Sequence, residues 1–249
     1  MDFLAIIPAR YASTRFPGKP LVDIRGKSMI QRVYERGQLI FPNIVVATDD
    51  SRIFNHVVEF GGMAVMTSAD HINGTSRICE AVKIIENNQK REYSYIINIQ
   101  GDEPFISKDQ LIELKNSIMD EGADISTLCK KITDSEELFS PNNPKVVMDC
   151  NFNALYFSRS VIPYTRDIAP EKWIENTLYY KHIGLYAFKR TTLDVIENIS
   201  QTPLEKAESL EQLRWLENGL KIRLAITNHL SYSIDTPEDL KNLLASNIL

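Results

Sequence analysis

The sequence predicts an α/β fold: a doubly wound, mostly parallel sheet with helices on both faces, followed by a more mixed second half. Short apolar runs alternate with amphipathic stretches, as in parallel strands joined by crossover helices. This β-α repeat recurs at least four times in the first 130 of the 249 residues. Both observations favour one compact α/β domain over residues 1–249.

The first half carries the clearest pattern. Strands are predicted at 3–7, 44–47, 64–66 and 95–99. Helices are predicted between and after them, at 28–38, 51–60, 75–87 and 108–120. Because ligands bind at the carboxyl ends of strands in such sheets, the polar residues that follow these strands are the first candidates for a site.

The second half is less regular. Strands are predicted at 146–148, 154–157 and 183–188, and a long loop at 164–176. The last helix is predicted to begin at Pro237, with Thr236 as its N-cap.

One further helix is predicted between Thr202 and Gly219. Pro203 would be its first residue, and Thr202 with Glu205 would form a capping box. Its buried stripe would consist of Leu204, Ala207, Leu210, Leu213 and Leu216.

Composition excludes several classes of protein. There are 28 Lys and Arg against 33 Asp and Glu, a net charge of −5, which argues against a dedicated nucleic-acid binder. The sequence has no run of about 18 apolar residues, so no membrane span is predicted. Asp2 stands where a secretory signal would carry a positive charge, so export is not expected. The three cysteines form no C-x-x-C pair and are predicted to be free buried thiols of a cytoplasmic protein: Cys79, Cys129 and Cys150. The four scattered histidines match no zinc spacing.

A basic loop follows the first predicted strand. Five cations stand between residues 10 and 27, against the single acid Asp23: Arg10, Arg15, Lys19, Arg25 and Lys27. Such a loop at a strand end can hold a triphosphate through charge-assisted hydrogen bonds. It is not a Walker A loop, because Ser13 and Pro20 stand where glycine and a hydroxyl are needed. The alternative is a solvated basic loop.

Two carboxylates also follow predicted strands. Asp102 comes just after the strand predicted at 95–99, and Asp235 stands at the end of a further strand predicted at 230–234. Mg²⁺ is often bound by one or two carboxylates together with substrate phosphates. The alternative for Asp235 is a helix cap or a turn residue.

A polar loop leads into the helix predicted at 75–87. Asn73, Thr75 and the backbone amides there could reach a base or a ribose. The alternative is that Thr75 only caps the helix and that Arg77 is solvated.

Together these segments resemble the 3-deoxy-manno-octulosonate (Kdo) cytidylyltransferase family. The matching segments span the chain: Ile7-Pro8-Ala9-Arg10, Pro17-Gly18-Lys19-Pro20-Leu21, Val46-Ala47-Thr48-Asp49, His71 with Gly74-Thr75 and Arg77, Gln100-Gly101-Asp102-Glu103-Pro104, Ala154-Leu155-Tyr156-Phe157-Ser158-Arg159, His182-Ile183-Gly184-Leu185-Tyr186, Leu210-Glu211-Gln212-Leu213-Arg214 and Asp235-Thr236-Pro237. The basic loop alone is shared with other sugar-nucleotide transferases, whereas the later segments are more specific.

The resemblance implies a nucleotide-diphospho-sugar transferase-like fold and a cytoplasmic, Mg²⁺-dependent enzyme. It would convert CTP and Kdo into CMP-Kdo and pyrophosphate, and CMP-Kdo would be used to build lipopolysaccharide. The resemblance also implies a nucleotide-binding half near residues 1–135 and a sugar-acid-binding half near 136–249. A homodimer would form through the second half, with no nucleic acid and no membrane insertion.

Residue roles follow from the same resemblance. Arg10 and Lys19 would act on the CTP phosphates, with Arg15 as a third contact, and Asp102 and Asp235 would bind Mg²⁺. Lys19, Arg10 and Asp102 would be the catalytic residues. The rest of the nucleotide pocket would include Ala9, Asn73, Gly74 and Arg77. The sugar acid would be bound by Gln100, Arg159, His182, Tyr186, Glu211 and Gln212.

Two alternatives stay open. The acceptor could be another acidic sugar, such as an amino-substituted Kdo or a sialic acid, because the phosphate loop would serve all of them. The chain could also be a nucleotide-binding regulator without catalysis. The pair of carboxylates argues against that second alternative, because a protein that only binds nucleotide has little need of two metal ligands.

Overall fold

The computed structural model describes residues 2–12, 16–230 and 232–245. They divide into two compact units, one from Met1–Leu111 with Leu230–Leu249 and one from Ile112–His229. These limits differ from the predicted halves, since the segment after residue 229 belongs to the first unit. A single functional domain over 1–249 stays a prediction.

The first unit contains most of the predicted β-α repeats. In chain order its elements are β1 (Phe3–Ala9), a 3-10 helix (Lys19–Leu21), β2 (Asp23–Ile24), β3 (Lys27–Ser28), α1 (Met29–Gln38), β4 (Ile44–Thr48), α2 (Ser51–Glu59), β5 (Ala64–Met66), α3 (Gly74–Gln89) and β6 (Tyr95–Asn98), and α4 (Lys108–Ile118) runs across the unit boundary.

The second unit continues the chain order. Its elements are β7 (Ile125–Lys131), α5 (Ser135–Phe139), β8 (Lys145–Met148), β9 (Ala154–Ser158), a second 3-10 helix (Pro170–Lys172), α6 (Trp173–Asn176), β10 (Tyr180–Lys189), α7 (Arg190–Glu197), α8 (Pro203–Glu208), α9 (Glu211–Glu217) and β11 (Ile222–Thr227). The last helix, α10 (Pro237–Ala245), belongs to the first unit.

A parallel sheet forms the core of the first unit. Its strand order is β6-β1-β4-β5, with Ala5 of β1 opposite Ile44 on one side and Ile97 on the other. Leu4 and Ile6 of β1 are fully buried, as expected for a strand covered on both faces. The predicted parallel sheet and its four strands and four helices are confirmed, with bounds within two residues.

Side-chain caps fix where the helices beside the site begin. Asn73 accepts a hydrogen bond from the Ser76 N–H at 2.8 Å, so Asn73, rather than Thr75, is the N-cap of α3. Thr236 accepts from the Asp239 N–H at 3.2 Å, which confirms the predicted start of α10. The Asp239 carboxylate in turn accepts from the N–H groups of Asp235 and Thr236. This reciprocal box fixes the backbone at Asp235.

A mixed sheet forms the second unit. β11 pairs with β7 in parallel, whereas β10 with β7, β8 with β10 and β9 with β8 are antiparallel. The prediction of a mixed second half is confirmed, and β8, β9 and β10 match the predicted strands. β7 and β11 were not predicted. The strand predicted at 230–234, before Asp235, is wrong: 230 and 232–234 belong to no strand, and 231 lies outside the described residues. The pairing of β10 with β7 shifts register between Ile183 and Tyr186, where β10 forms a bulge.

The long helix predicted from Pro203 to Gly219 is wrong. Two short helices, α8 and α9, stand there, and the chain turns at Ser209 with a φ of 51°. Leu204 and Ala207, predicted to be buried, are exposed. Glu205 and Arg214 are buried instead, with Arg214 Nε 3.4 Å from Glu205 Oε2.

The capping box at the start of this segment is also wrong. Thr202 makes no side-chain capping bond to α8. Because Glu205 lies against Arg214, its carboxylate is engaged with α9 rather than with the start of α8.

Three further predictions can be compared with the structure. The loop predicted at 164–176 contains the second 3-10 helix and α6, which Trp173 anchors by donating from its indole to the Ile168 carbonyl at 2.8 Å. Cys79 and Cys129 are buried as predicted, but Cys150 is exposed. Among the described helices, none has the length and apolar character needed to span a membrane.

Candidate active site

A cleft of about 250 Å³ opens in the first unit, where polar loops follow β1 and β6 and precede α3 and α10. It brings together the predicted site residues of this unit that the structure describes: Ala9, Arg10, Lys19, Asn73, Gly74, Arg77, Gln100, Asp102 and Asp235. Arg15 lies outside the described residues. The site therefore assembles at the carboxyl edge of the parallel sheet, where the fold class predicts it.

Lys19 lies between the two carboxylates. Its Nζ is 2.8 Å from Asp102 Oδ2 and 3.2 Å from Asp235 Oδ1. The Lys19 side chain is 15% exposed, and those of Asp102 and Asp235 are 27% and 38% exposed. The Ile234 N–H donates to the Asp102 carbonyl at 3.0 Å, which ties the segment before Asp235 to the loop after β6. Residues distant in the chain thus form one compact charged cluster.

The carboxylates of this cluster have the donor chemistry that a hard cation such as Mg²⁺ requires. Carboxylate oxygens are the protein ligands that this hard cation prefers, and two of them already converge on one positive charge. No group of three or more His, Cys, Asp or Glu side chains is arranged to hold a metal within the part of the chain that the structure describes. Two carboxylates fit a cation whose remaining ligands are substrate oxygens and water.

Backbone geometry at Gly18 places Lys19. Gly18 has a φ of 73°, in the left-handed region that favours glycine, and its N–H donates to the Tyr11 carbonyl at 3.0 Å. A Cβ at Gly18 would lie 3.1 Å from the Tyr11 hydroxyl oxygen. The Arg52 guanidinium stacks on the Tyr11 ring, 3.3 Å from its centroid, and forms a bidentate pair with Asp50. The start and the end of the basic loop are therefore held by α2.

Arg77 is buried beneath the cleft rather than solvated. Only 3% of its surface is exposed, and it donates to Thr67 Oγ1 at 2.6 Å and to Asp49 Oδ2 at 2.9 Å. The alternative of a solvated arginine is thereby wrong. We did not predict Asp49 as part of the site. Asp49 directly follows the buried strand β4. The same pattern, an acid just after a buried strand, identified Asp102 and could have identified Asp49.

His71 is a second contributor that was not among the predicted site residues. It lines the cleft, with Nδ1 3.1 Å from Ser76 Oγ and Nε2 against Glu80 Oε2. Burial acts to raise the pKa of the Glu80 carboxyl, but hydrogen bonds from His71 and Ser68 hold that pKa below its usual value. Its position two residues before the N-cap Asn73 was the available signal.

In the second unit, Arg159 lies against the turn between α8 and α9. Its Nε donates to the Glu208 carbonyl at 2.7 Å, and its Nη atoms donate to the carbonyls of Pro141 at 2.9 Å and Ser209 at 3.3 Å. Glu208 Oε2 also accepts from the Arg159 N–H. Arg159 is thus held rigidly beside the start of α9.

The other predicted sugar-acid residues of this unit lie around the same end of α9. The His182 and Tyr186 rings lie 5.3 Å apart, so the two residues share a side of β10. Tyr186 packs edge-on against Trp215 of α9. At the start of α9, Glu211 pairs with Arg214 at 2.5 Å, and Gln212 is 4% exposed with its Nε2 buried and unpaired among the described residues.

Burial sets the protonation of the two ring side chains. It lowers the pKa of His182 from 6.5 to about 3, so the imidazole is neutral at neutral pH. Burial, assisted by the negative charge of Glu211, raises the pKa of Tyr186 well above its usual value. Both groups are therefore neutral hydrogen-bonding groups near neutral pH.

The chain is similar to known proteins over nearly its full length. Residues 4–222 match the cytidylyltransferase family. The 3-deoxy-manno-octulosonate cytidylyltransferase of Parabacteroides distasonis is 51% identical over 98% of both chains. The enzyme of that name from Fusobacterium nucleatum is 48% identical over 98% of this chain and 96% of its own.

A solved structure is similar to this chain over the same length. CMP:2-keto-3-deoxy-manno-octonic acid synthetase in complex with CTP superposes with a TM-score of 0.88, at 40% identity over 98% of both chains. Sequence and structure together show that the chain belongs to the 3-deoxy-manno-octulosonate cytidylyltransferase family, within the cytidylyltransferases.

Proposed function

We propose that this protein transfers the cytidylyl group of CTP to the anomeric hydroxyl of Kdo, giving CMP-Kdo and pyrophosphate. The observation that carries the proposal is the cluster of Lys19, Asp102 and Asp235 in a cleft that also contains Arg10. It offers both the positive charge that a triphosphate needs and the carboxylates that a phosphate-bound cation needs. Family membership supplies the identity of the nucleotide and of the sugar acid.

The nucleotide is held by the first unit. Arg10 and Lys19 bind the phosphates, with Arg15 as the third cation of the basic loop. Ala9, Asn73, Gly74 and Arg77 form the cytosine pocket. Since both Nη atoms of Arg77 already donate to protein oxygens, Arg77 supports that pocket with its fixed charge and position.

The carboxylates hold the cation. We propose that Asp102 and Asp235 bind Mg²⁺, which when bound supplies positive charge to the phosphate oxygens. Gln100 lines the same cleft, two residues before Asp102 in the loop after β6. We propose that it contacts the sugar acid from there. One strand end thus serves both the cation and the acceptor.

The reaction is a single displacement. The anomeric oxygen of Kdo forms a bond to the α-phosphorus while the bond from that phosphorus to pyrophosphate breaks on the opposite side. The hydroxyl proton passes to solvent or to the departing pyrophosphate. Catalysis of such a step consists mainly of positioning and charge neutralisation, and Arg10 and Lys19 supply both on the protein side.

The sugar acid is held by the second unit through Arg159, His182, Tyr186, Glu211 and Gln212. Because its pKa is about 3, His182 is a poor proton acceptor and acts as a hydrogen-bonding group. The unpaired Gln212 Nε2 is a donor that an oxygen of the sugar acid can satisfy. We also propose a cytoplasmic homodimer, joined through the second half, whose product serves lipopolysaccharide synthesis.

We expect pyrophosphate release that depends on CTP, Mg²⁺ and Kdo together. The measurement is a coupled pyrophosphate assay with Kdo, an amino-substituted Kdo and a sialic acid as acceptors. Release with another acceptor alone would keep the nucleotide part of the proposal and overturn the sugar part. A folded protein that binds CTP but releases no pyrophosphate with any acceptor would be a regulator instead.

Asp102→Asn should reduce turnover by about a hundredfold or more, because one of two cation ligands loses its charge. Lys19 keeps its contact to Asp235, so the protein should fold normally, which circular dichroism and thermal unfolding would check. Asp194→Asn is the matched control, since Asp194 is an exposed carboxylate paired with Arg190 at 2.7 Å. Unchanged pyrophosphate release by the Asp102 variant would refute the catalytic role.

Gly18→Ala should raise the KM for CTP about tenfold, because its Cβ pushes on Tyr11 and displaces the loop that carries Arg10 and Lys19. Gly26→Ala is the matched control. Its φ of 82° imposes similar backbone strain, about 1–2 kcal/mol, but no atom lies within 4 Å of its Cβ. Both variants should lose similar stability, and only the first should lose CTP affinity. Equal KM values for CTP in the two variants would show that the contact between Gly18 and Tyr11 does not position the loop.

The pKa of His182 also predicts a pH dependence of stability. Between pH 6.5 and about 3 the unfolded chain binds a proton at this residue that the folded protein does not, so stability falls as the pH falls through this window. The slope can reach about 1.4 kcal/mol per pH unit. His182→Gln should unfold in urea with a shallower loss of stability between pH 7 and pH 5 than the wild-type protein. Parallel curves for the two proteins would contradict the burial of a neutral imidazole.

A further inference from the structure

Thr127 has three polar contacts through one hydroxyl. It lies on β7, is fully buried, and its Oγ1 is 2.6 Å from the Leu185 carbonyl oxygen, 3.1 Å from the Ile183 carbonyl oxygen and 3.0 Å from His182 Nε2. The bulge of β10 accounts for this convergence. The register shift between Ile183 and Tyr186 turns both carbonyls toward the same threonine.

The hydrogen-bonding capacities decide the direction of each bond. A hydroxyl has one proton to donate, and carbonyl oxygens can only accept. The Thr127 hydroxyl therefore donates its proton to a carbonyl oxygen, the nearer being that of Leu185 at 2.6 Å. The lone pairs of Oγ1 then accept, so His182 Nε2 must carry a hydrogen and donate it to Thr127.

A neutral imidazole has only one N–H, so the other nitrogen of His182 carries a lone pair. None of the described residues makes a hydrogen bond to Nδ1, and His182, although largely desolvated, is not completely covered by protein. The ring cannot easily rotate, because Phe157 packs edge-on against it at 5.1 Å and Tyr186 lies at 5.3 Å. The low pKa of His182 agrees with a neutral ring.

We propose that Thr127 is a positioning residue that holds His182 as the Nε2–H tautomer, so that Nδ1 accepts a hydrogen bond from a hydroxyl group of the sugar acid. This inference rests on the proposed function for its ligand. An acceptor nitrogen favours a hydroxyl and disfavours a carboxylate, because a carboxylate brings no hydrogen to the bond. His182 therefore recognises the polyol part of the substrate rather than its acid group.

The spectroscopic test measures the tautomer directly. Long-range proton–nitrogen correlation spectra of ¹⁵N-labelled protein separate protonated from unprotonated ring nitrogens, and His182→Gln assigns the His182 signals. We expect the Nε2–H form in the wild-type protein and in Thr127→Ser, which keeps the hydroxyl. In Thr127→Val the population should shift toward Nδ1–H. An Nδ1–H wild-type form, or an unchanged tautomer in Thr127→Val, would overturn the proposal.

The kinetic test separates positioning from folding. Thr127→Val should raise the KM for Kdo about tenfold, with little change in the KM for CTP, and Thr127→Ser should restore most of the loss. Thr227→Val is the matched control, since Thr227 is an equally buried strand threonine whose Oγ1 accepts from the His229 N–H. An equal rise in the KM for Kdo in both valine variants would contradict a specific role.

The two tests fail independently. If the wild-type protein shows no Kdo-dependent release, the proposed function fails, while the spectra still decide whether Thr127 sets the tautomer. If Thr127→Val does not fold, the spectra of the wild-type protein and of Thr127→Ser still test the proposal. The Nδ1–H tautomer of His182 in either protein would refute it.

Discussion

The charged cluster of Lys19, Asp102 and Asp235 is the constraint on which the site depends. Two carboxylates close together repel each other, and a cation between them removes that cost. The three residues come from segments 83 and 216 positions apart, so the cluster requires the folded sheet. Since these side chains are partly solvated, the ion pairs contribute little stability and act mainly through geometry. The same carboxylates are available to a cation that arrives with a triphosphate.

The parallel sheet explains why these groups meet. All of its strands point the same way, so the loops that follow β1, β4 and β6 lie at one edge. Each loop brings one kind of chemistry, with Arg10 after β1, Asp49 after β4 and Asp102 after β6. Asp49 does not line the cleft but holds Arg77, which does, by a charge-assisted hydrogen bond of 2.9 Å. Under the proposed function, this edge combines residues that contact substrate with residues that orient them.

The secondary structure could be predicted from the sequence where buried residues recur with the regular spacing of a strand or a helix. The first-unit strands and helices could be predicted because continuous apolar runs and amphipathic stretches alternate there. The segment from Pro203 to Gly219 could not be predicted correctly, because its buried face includes the ion pair of Glu205 and Arg214. A hydrophobic pattern assigns such charged residues to the exposed face. Strand β7 was missed for a related reason, since buried Ser126 and Thr127 interrupt its apolar run. The arrangement around Thr127 depends on a bulge in another strand, and no spacing within one segment reveals that.

Under the proposed function, the two units bind their ligands by different physical means. A triphosphate and its cation are charged and adapt to several geometries, so flexible, partly solvated side chains such as Lys19 suffice. The hydroxyl groups of a sugar are neutral, and they are distinguished only by donors and acceptors of fixed direction. Fixed direction requires side chains whose own hydrogen bonds are settled by buried neighbours, as Thr127 settles those of His182. Nucleotide binding should therefore depend mainly on the distance from the basic loop to the phosphates, and sugar binding mainly on the direction of individual hydrogen bonds.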